Sequence, residues 1–65
     1  LKRYQMNELF NGIVIKKIPA GYFVELEDYL VTGFLSTSKQ FEPGHKVQIF
    51  IDEIYPEKNK LRLKL

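Results

Sequence analysis

The chain closes on an alternation of cations and apolar residues, Lys58-Asn59-Lys60-Leu61-Arg62-Leu63-Lys64-Leu65. A strand sends successive side chains to opposite faces, so this run sets its cations on one side and its leucines on the other. Earlier, the segment Gly21-Tyr22-Phe23-Val24-Glu25-Leu26 offers an aromatic ring. If Val24 and Leu26 point inward, Tyr22 shares their side as core while Phe23 and Glu25 point out. An exposed ring beside cations suits single-stranded nucleic acid: the ring stacks on a base and the cations neutralise phosphates. Phe23, Lys60 and Arg62 are the first candidates, Lys64 continues the same face, and Lys16 and Lys17 come next. The competing use of the same cations is a solvated face that discourages edge-to-edge strand pairing. The residues alone leave both readings open.

Other chemistries are poorly supplied. One histidine and no cysteine make no credible zinc set. Acidic residues cluster at Glu25, Glu27 and Asp28, and again at Asp52 and Glu53, without a Ser-His-Asp set, a glycine-rich phosphate loop or an EF-hand pattern nearby. His45 follows a turn glycine and is expected in solvent. The expectation is therefore a chain with no catalytic site, no metal and no cofactor of its own. The net charge of +2 and the pI of about 9.0 permit nucleic-acid binding without demanding it. The distribution says more, because four cations fall in the final eight residues.

The elements that must position these residues are short. Sixty-five residues make one domain near the lower limit for folding without staples, and 45% hydrophobic with 14% aromatic residues supply a core. No apolar run approaches the roughly 20 residues that span a bilayer, and no signal-peptide pattern is read, so a cytoplasmic protein without membrane contact is expected. A first residue that is not methionine suggests a piece of a longer protein. Segments rich in β-branched and aromatic residues alternate with turn formers, which predicts strands at 9–18, 22–26, 31–35, 46–55 and from Lys60 onward. Pro19 ends the first strand, because it lacks an amide donor. Pro43-Gly44 marks a turn, and Pro56-Glu57-Lys58-Asn59 another. Residues 36–40 form a polar connection with room for a helical turn. Lys16 and Lys17 fall within 9–18 yet, beside the turn, are also read as part of the loop that joins strands one and two, and Tyr29 and Tyr55 are expected in loops or at strand ends. Asp52-Glu53 interrupts the inward alternation of Val47, Ile49 and Ile51 as a bulge would. Five short strands avoid exposed edges by closing into a cylinder. The prediction is an all-β, five-stranded antiparallel OB-fold barrel over 9–65, with residues 1–8 as an extension or partly ordered lead-in.

Taken in order, Gly12-Ile13-Val14, Gly21-Tyr22-Phe23-Val24-Glu25-Leu26, Gly33-Phe34-Leu35 with Ser38, Gly44-His45-Lys46-Val47-Gln48-Ile49, Ile54 and the basic final strand make an ordered set. This set resembles the S1 domain, the OB-fold RNA-binding module named after a ribosomal protein. The stretch 23–33 is loosely similar to the copy in RNase R-type exoribonucleases. The resemblance implies RNA lying across strands two, three and five, with Phe23 as the stacking ring, Lys60 as the basic residue and Arg62 continuing its face. Ala20 stands where the family often has a second aromatic, and Ser36 stands at its histidine position, able to donate a hydrogen bond but not to stack. Tyr55 replaces an aspartate after strand four, and Lys17 takes the place of an isoleucine, with Ile18 beside it. Either Tyr29 or Tyr55 is a candidate for the missing ring. The implied function is a single-strand RNA-binding module of low sequence specificity, not distinguished from a single-stranded DNA binder. It is expected as a monomer when isolated, within a larger RNA-processing, translation or transcription protein. The losses at Ala20 and Ser36 support a rival, a protein-interaction or structural barrel with a degenerate RNA face. A third reading is an accessory domain that delivers RNA to a nuclease or other catalytic domain elsewhere in the same protein.

Overall fold

Alternation of apolar and polar residues becomes alternation of inside and outside in each strand. The computed structural model describes residues 8–58 and 60–65. All but the last residue of the expected N-terminal lead-in lies outside the described residues. The strands are β1 (Leu9–Ile18), β2 (Gly21–Leu26), β3 (Val31–Leu35), β4 (Lys46–Tyr55) and β5 (Lys60–Lys64), with a 3-10 turn at Pro56–Lys58 before β5. They close into a barrel in the order β1-β2-β3-β5-β4, with β4 returning to pair with β1. Phe10 and Val14 of β1, Tyr22, Val24 and Leu26 of β2, and Val47, Ile49 and Ile51 of β4 fill the interior. Leu61 and Leu63 do so from β5, while the cations between them face out.

The expected antiparallel barrel is corrected at one seam. β3 and β5 run parallel, pairing Gly33 with Leu61, Phe34 with Arg62 and Leu35 with Leu63. A closed ring of five strands cannot alternate direction all the way round, so one pair must be parallel. Nothing local in the sequence marks which pair that is. Its close approach is visible at Gly33, where an added Cβ would lie 2.7 Å from Leu63 Cγ.

Two bulges adjust the register. In β1 the pairing with β2 shifts between Val14 and Lys16, leaving Ile15 without a partner. The pairing then continues to the end of the strand, with Lys16 opposite Phe23 and Lys17 opposite Tyr22. Lys16 and Lys17 thus belong to β1 rather than to the loop after it, because the bulge absorbs the extra residue. In β4 the shift falls between Ile51 and Glu53, at the position expected.

No helical turn forms at residues 36–40, where the sequence left room for one; the segment bends at Ser38 and Lys39. The Thr37 hydroxyl accepts a hydrogen bond from the Lys39 amide at 3.1 Å, a local contact that competes with helix formation. Just beyond, the Phe41 amide donates to the Tyr22 hydroxyl at 3.0 Å, and the two rings meet edge to face at 5.6 Å. These contacts draw the chain across the end of the barrel. The turn at Gly44 follows, with φ of 90°, a conformation glycine adopts without steric cost.

Candidate nucleic-acid interface

The register builds an outward-facing row across four strand boundaries. Lys16 lies opposite Phe23, Phe23 opposite Phe34, Phe34 beside Arg62, and Arg62 opposite Glu53. A second row follows one step along the strands. Glu25 pairs with Thr32 and Lys60 pairs with Tyr55, while Thr32 and Lys60 each stand one residue before the parallel pair of Gly33 and Leu61.

Between the rows lies an open groove of about 490 Å³, lined by Phe23, Phe34, Thr32, Tyr55, Lys60 and Arg62 together with Ile18, Gly33 and Leu61. A second hollow of about 520 Å³ shares Thr32, Tyr55, Lys60 and Leu61 with it, and reaches Leu30, Val31, Ile54 and Pro56. Lys60 and Tyr55 therefore sit on the saddle of one continuous trough. Phe23 is 37% exposed, and its ring meets that of Phe34 edge to face at 6.4 Å and 71°.

The cations of this face fall into two groups. Lys60 and Lys16 make no ion pair among the described residues. Arg62 is held by the β4 bulge: its Nε donates to Asp52 Oδ2 at 3.0 Å, and its Nη2 donates to Glu53 Oε1. Lys64 stands 4.0 Å from the other oxygen of Asp52. The Tyr55 hydroxyl donates to Glu53 Oε1 at 2.9 Å. The hydrogen bond to Asp52, and then the charge of Glu53, hold the Arg62 guanidinium above its ordinary pKa. The hydrogen bond to Glu53, and then desolvation, raise the Tyr55 phenol above its usual value.

The structure brings Phe23, Lys60, Arg62 and Tyr55 to one groove, with Lys16 at its margin. It does not gather the rest. Ser36 is exposed one residue past β3 and does not line the groove. Lys17 donates to Gln40 Oε1 at 3.3 Å, across the end of the barrel. Tyr29 turns its ring onto Phe10, edge to face at 5.6 Å, so of the two tyrosines considered for the missing aromatic only Tyr55 reaches the trough. His45 is exposed, with its ring 5.4 Å from that of Phe41. The second ring of the platform is Phe34, which the sequence reading did not select. Strand parity carried the signal, since Gly33 and Leu35 on either side of Phe34 face inward. Leu30 was missed as well. It is 77% exposed and takes φ of 55°, in a region leucine rarely occupies.

Among the described residues no helix is long and apolar enough to cross a membrane. No protein-family model matches the chain, and no curated protein does either. Among solved structures, the chain is similar to an uncharacterized protein of Methanocaldococcus jannaschii, with 20% sequence identity and a TM-score of 0.81 over 97% of this chain and 93% of that one. At that identity the likeness establishes the barrel and its topology, so what the chain shares with known proteins is an OB-like fold.

Proposed function

We propose that this barrel is a single-strand RNA-binding module of the S1 type, acting in the cytoplasm as one domain of a larger RNA-processing, translation or transcription protein. The observation that supports it is the meeting of Phe23, Phe34 and Lys60 in one groove on the outer wall. A base stacks against the phenylalanine pair, and Lys60 on the saddle meets the phosphate that follows. Single stacking contacts are worth roughly 1–3 kcal/mol. One copy therefore binds weakly, and useful affinity comes from linkage to other domains. No catalytic role is assigned to the chain itself, and the isolated domain is taken as a monomer.

A protein-binding barrel is the second reading. It is favoured by the exposure of Leu30 at 77% and Ile54 at 37% in the neighbouring hollow. A titration of the labelled chain with hexauridylate at low salt, followed by amide shifts, separates the two. The RNA reading expects shifts at Phe23, Thr32, Phe34 and Lys60 that shrink as salt is added. No shift at these amides at low salt would leave the protein-binding reading standing. A parallel titration with hexadeoxyuridylate reports whether the 2′-hydroxyl contributes.

A further inference from the structure

We propose that Arg62 selects a base, guanine, rather than neutralising a phosphate, with Asp52 and Glu53 holding its guanidinium in place for that task. The inference rests on the RNA reading above and alters what Arg62 does within it.

Charge comes first. Arg62 and Lys64 together face Asp52 and Glu53, so this cluster sums to zero, and a phosphate approaching the guanidinium meets two carboxylates already bonded to it. A phosphate gains little there. Lys60 has no such partner among the described residues and remains the phosphate contact of the groove.

Position comes second. Arg62 is the parallel-pair neighbour of Phe34 and lines the same groove as Phe23. Adjacent strands lie about 4.8 Å apart, so a base stacked on the phenylalanine pair carries its edge toward the guanidinium.

Donor geometry comes third. A guanidinium offers N–H donors in a planar fork and no acceptor. Asp52 takes Nε–H and Glu53 takes one hydrogen of Nη2, while Nη1 has no partner among the described residues. The free end of the fork, Nη1 with the second hydrogen of Nη2, is a paired donor. Guanine presents two adjacent acceptors, O6 and N7, to such a fork, whereas adenine presents N7 beside an amino donor. The two carboxylates fix a side chain that would otherwise lose rotamer freedom on binding.

The test uses the 65-residue chain and fluorescence anisotropy with hexamers that place one guanine, adenine or cytosine within uridines, beside hexauridylate itself. The guanine hexamer is expected to bind about 5- to 20-fold more tightly than the adenine one, within the range of a good paired contact. Inosine should keep this preference and 7-deazaguanine should lose most of it. Arg62→Lys retains the charge but removes the fork, and should abolish the guanine-to-adenine ratio, lowering affinity for the guanine hexamer more than for hexauridylate. Lys60→Gln should lower all affinities and reduce the salt slope by about one, leaving the guanine ratio intact. The double variant Asp52→Asn with Glu53→Gln frees the guanidinium, and should steepen the salt slope while weakening selection. Equal binding of guanine and the other bases overturns the proposal. So does a guanine preference that survives in Arg62→Lys, provided a native circular dichroism spectrum shows the variant folded. In both cases the RNA reading survives. Failure of every hexamer to bind removes that reading and this inference together.

Discussion

Phe23 is where stability and binding can be separated by substitution. Phe23 is 37% exposed, so roughly two-thirds of the residue is covered, and Phe34 meets its ring edge to face. Truncating a fully buried phenylalanine costs about 3–5 kcal/mol, part of it for the cavity left behind. At Phe23 the space opens to the groove and no closed cavity forms, so Phe23→Ala should cost about 1–2 kcal/mol of stability by scaling the transfer contribution to the covered fraction. Part of that is the edge-to-face contact with Phe34, a kind of contact worth roughly 0.5–1.5 kcal/mol. Phe23→Leu keeps apolar bulk against Phe34 and should cost less than about 1 kcal/mol. Binding should respond differently, because leucine has no π-face. Losing a stacking contact of about 1–3 kcal/mol lowers affinity roughly 5- to 150-fold. The discriminating variant is therefore Phe23→Leu: near-native by urea denaturation, yet at least about 5-fold weaker for hexauridylate by anisotropy. If it is folded and binds as tightly as the parent, the ring is not a stacking platform. If Phe23→Ala loses 4 kcal/mol or more, the ring is interior after all.

Three further outcomes test the frame around the groove. Gly33→Ala sets a Cβ 2.7 and 2.8 Å from Leu63 Cγ and Cδ1 at the parallel seam, and should cost about 1–3 kcal/mol; an unchanged thermal midpoint would contradict the close approach of β3 and β5. Leu30→Asn should stabilise the fold by up to about 1 kcal/mol in urea denaturation, because Leu30 is 77% exposed with φ of 55°; a loss of stability would show that Leu30 makes contacts that outweigh its backbone strain. The raised Tyr55 pKa favours the protonated phenol in the folded state, so its contribution to stability is present below the unfolded value and is lost as pH rises through the folded one. Replacing Glu53 by glutamine removes the carboxylate whose hydrogen bond is the main cause of that shift, along with its charge, and the Tyr55 ring-carbon titration followed by NMR should move to lower pH; a midpoint that stays put would mean the phenol does not sense Glu53.

The strands were legible because each carries its own period-two signal between strong turn formers. β3 and β4 match the sequence reading residue for residue, and β2 gains only Gly21. What the sequence hid is what depends on pairing between distant segments. The parallel seam of β3 and β5 has no local signature. At Lys16 and Lys17 the sequence left strand and loop overlapping, because the β1 bulge that keeps them in register with β2 breaks the inside-outside alternation there. Tyr29 read as a candidate ring because its partner, Phe10, is nineteen positions earlier. Phe34 has the same outward parity as Phe23, but its place beside that ring is set by the β2–β3 register, which neither segment shows by itself.

The deeper gap concerns charge. The final segment reads as a strip of cations, and the total of +2 supports that impression. The β4 bulge changes its meaning, because an extra residue in the strand lets Asp52 and Glu53 both reach Arg62. Sequence predicted the bulge but not which neighbour its carboxylates would face, since that neighbour belongs to another strand. Lys64 is drawn toward the same pair. The strip thus divides into a neutral, hydrogen-bonded cluster around Arg62 and, over the trough, Lys60, which makes no ion pair among the described residues. Once the carboxylates are counted, little net charge remains over the groove to attract a polyanion. On the RNA reading, affinity then has to come chiefly from the rings of Phe23 and Phe34, and electrostatics serves to orient the ligand rather than to capture it.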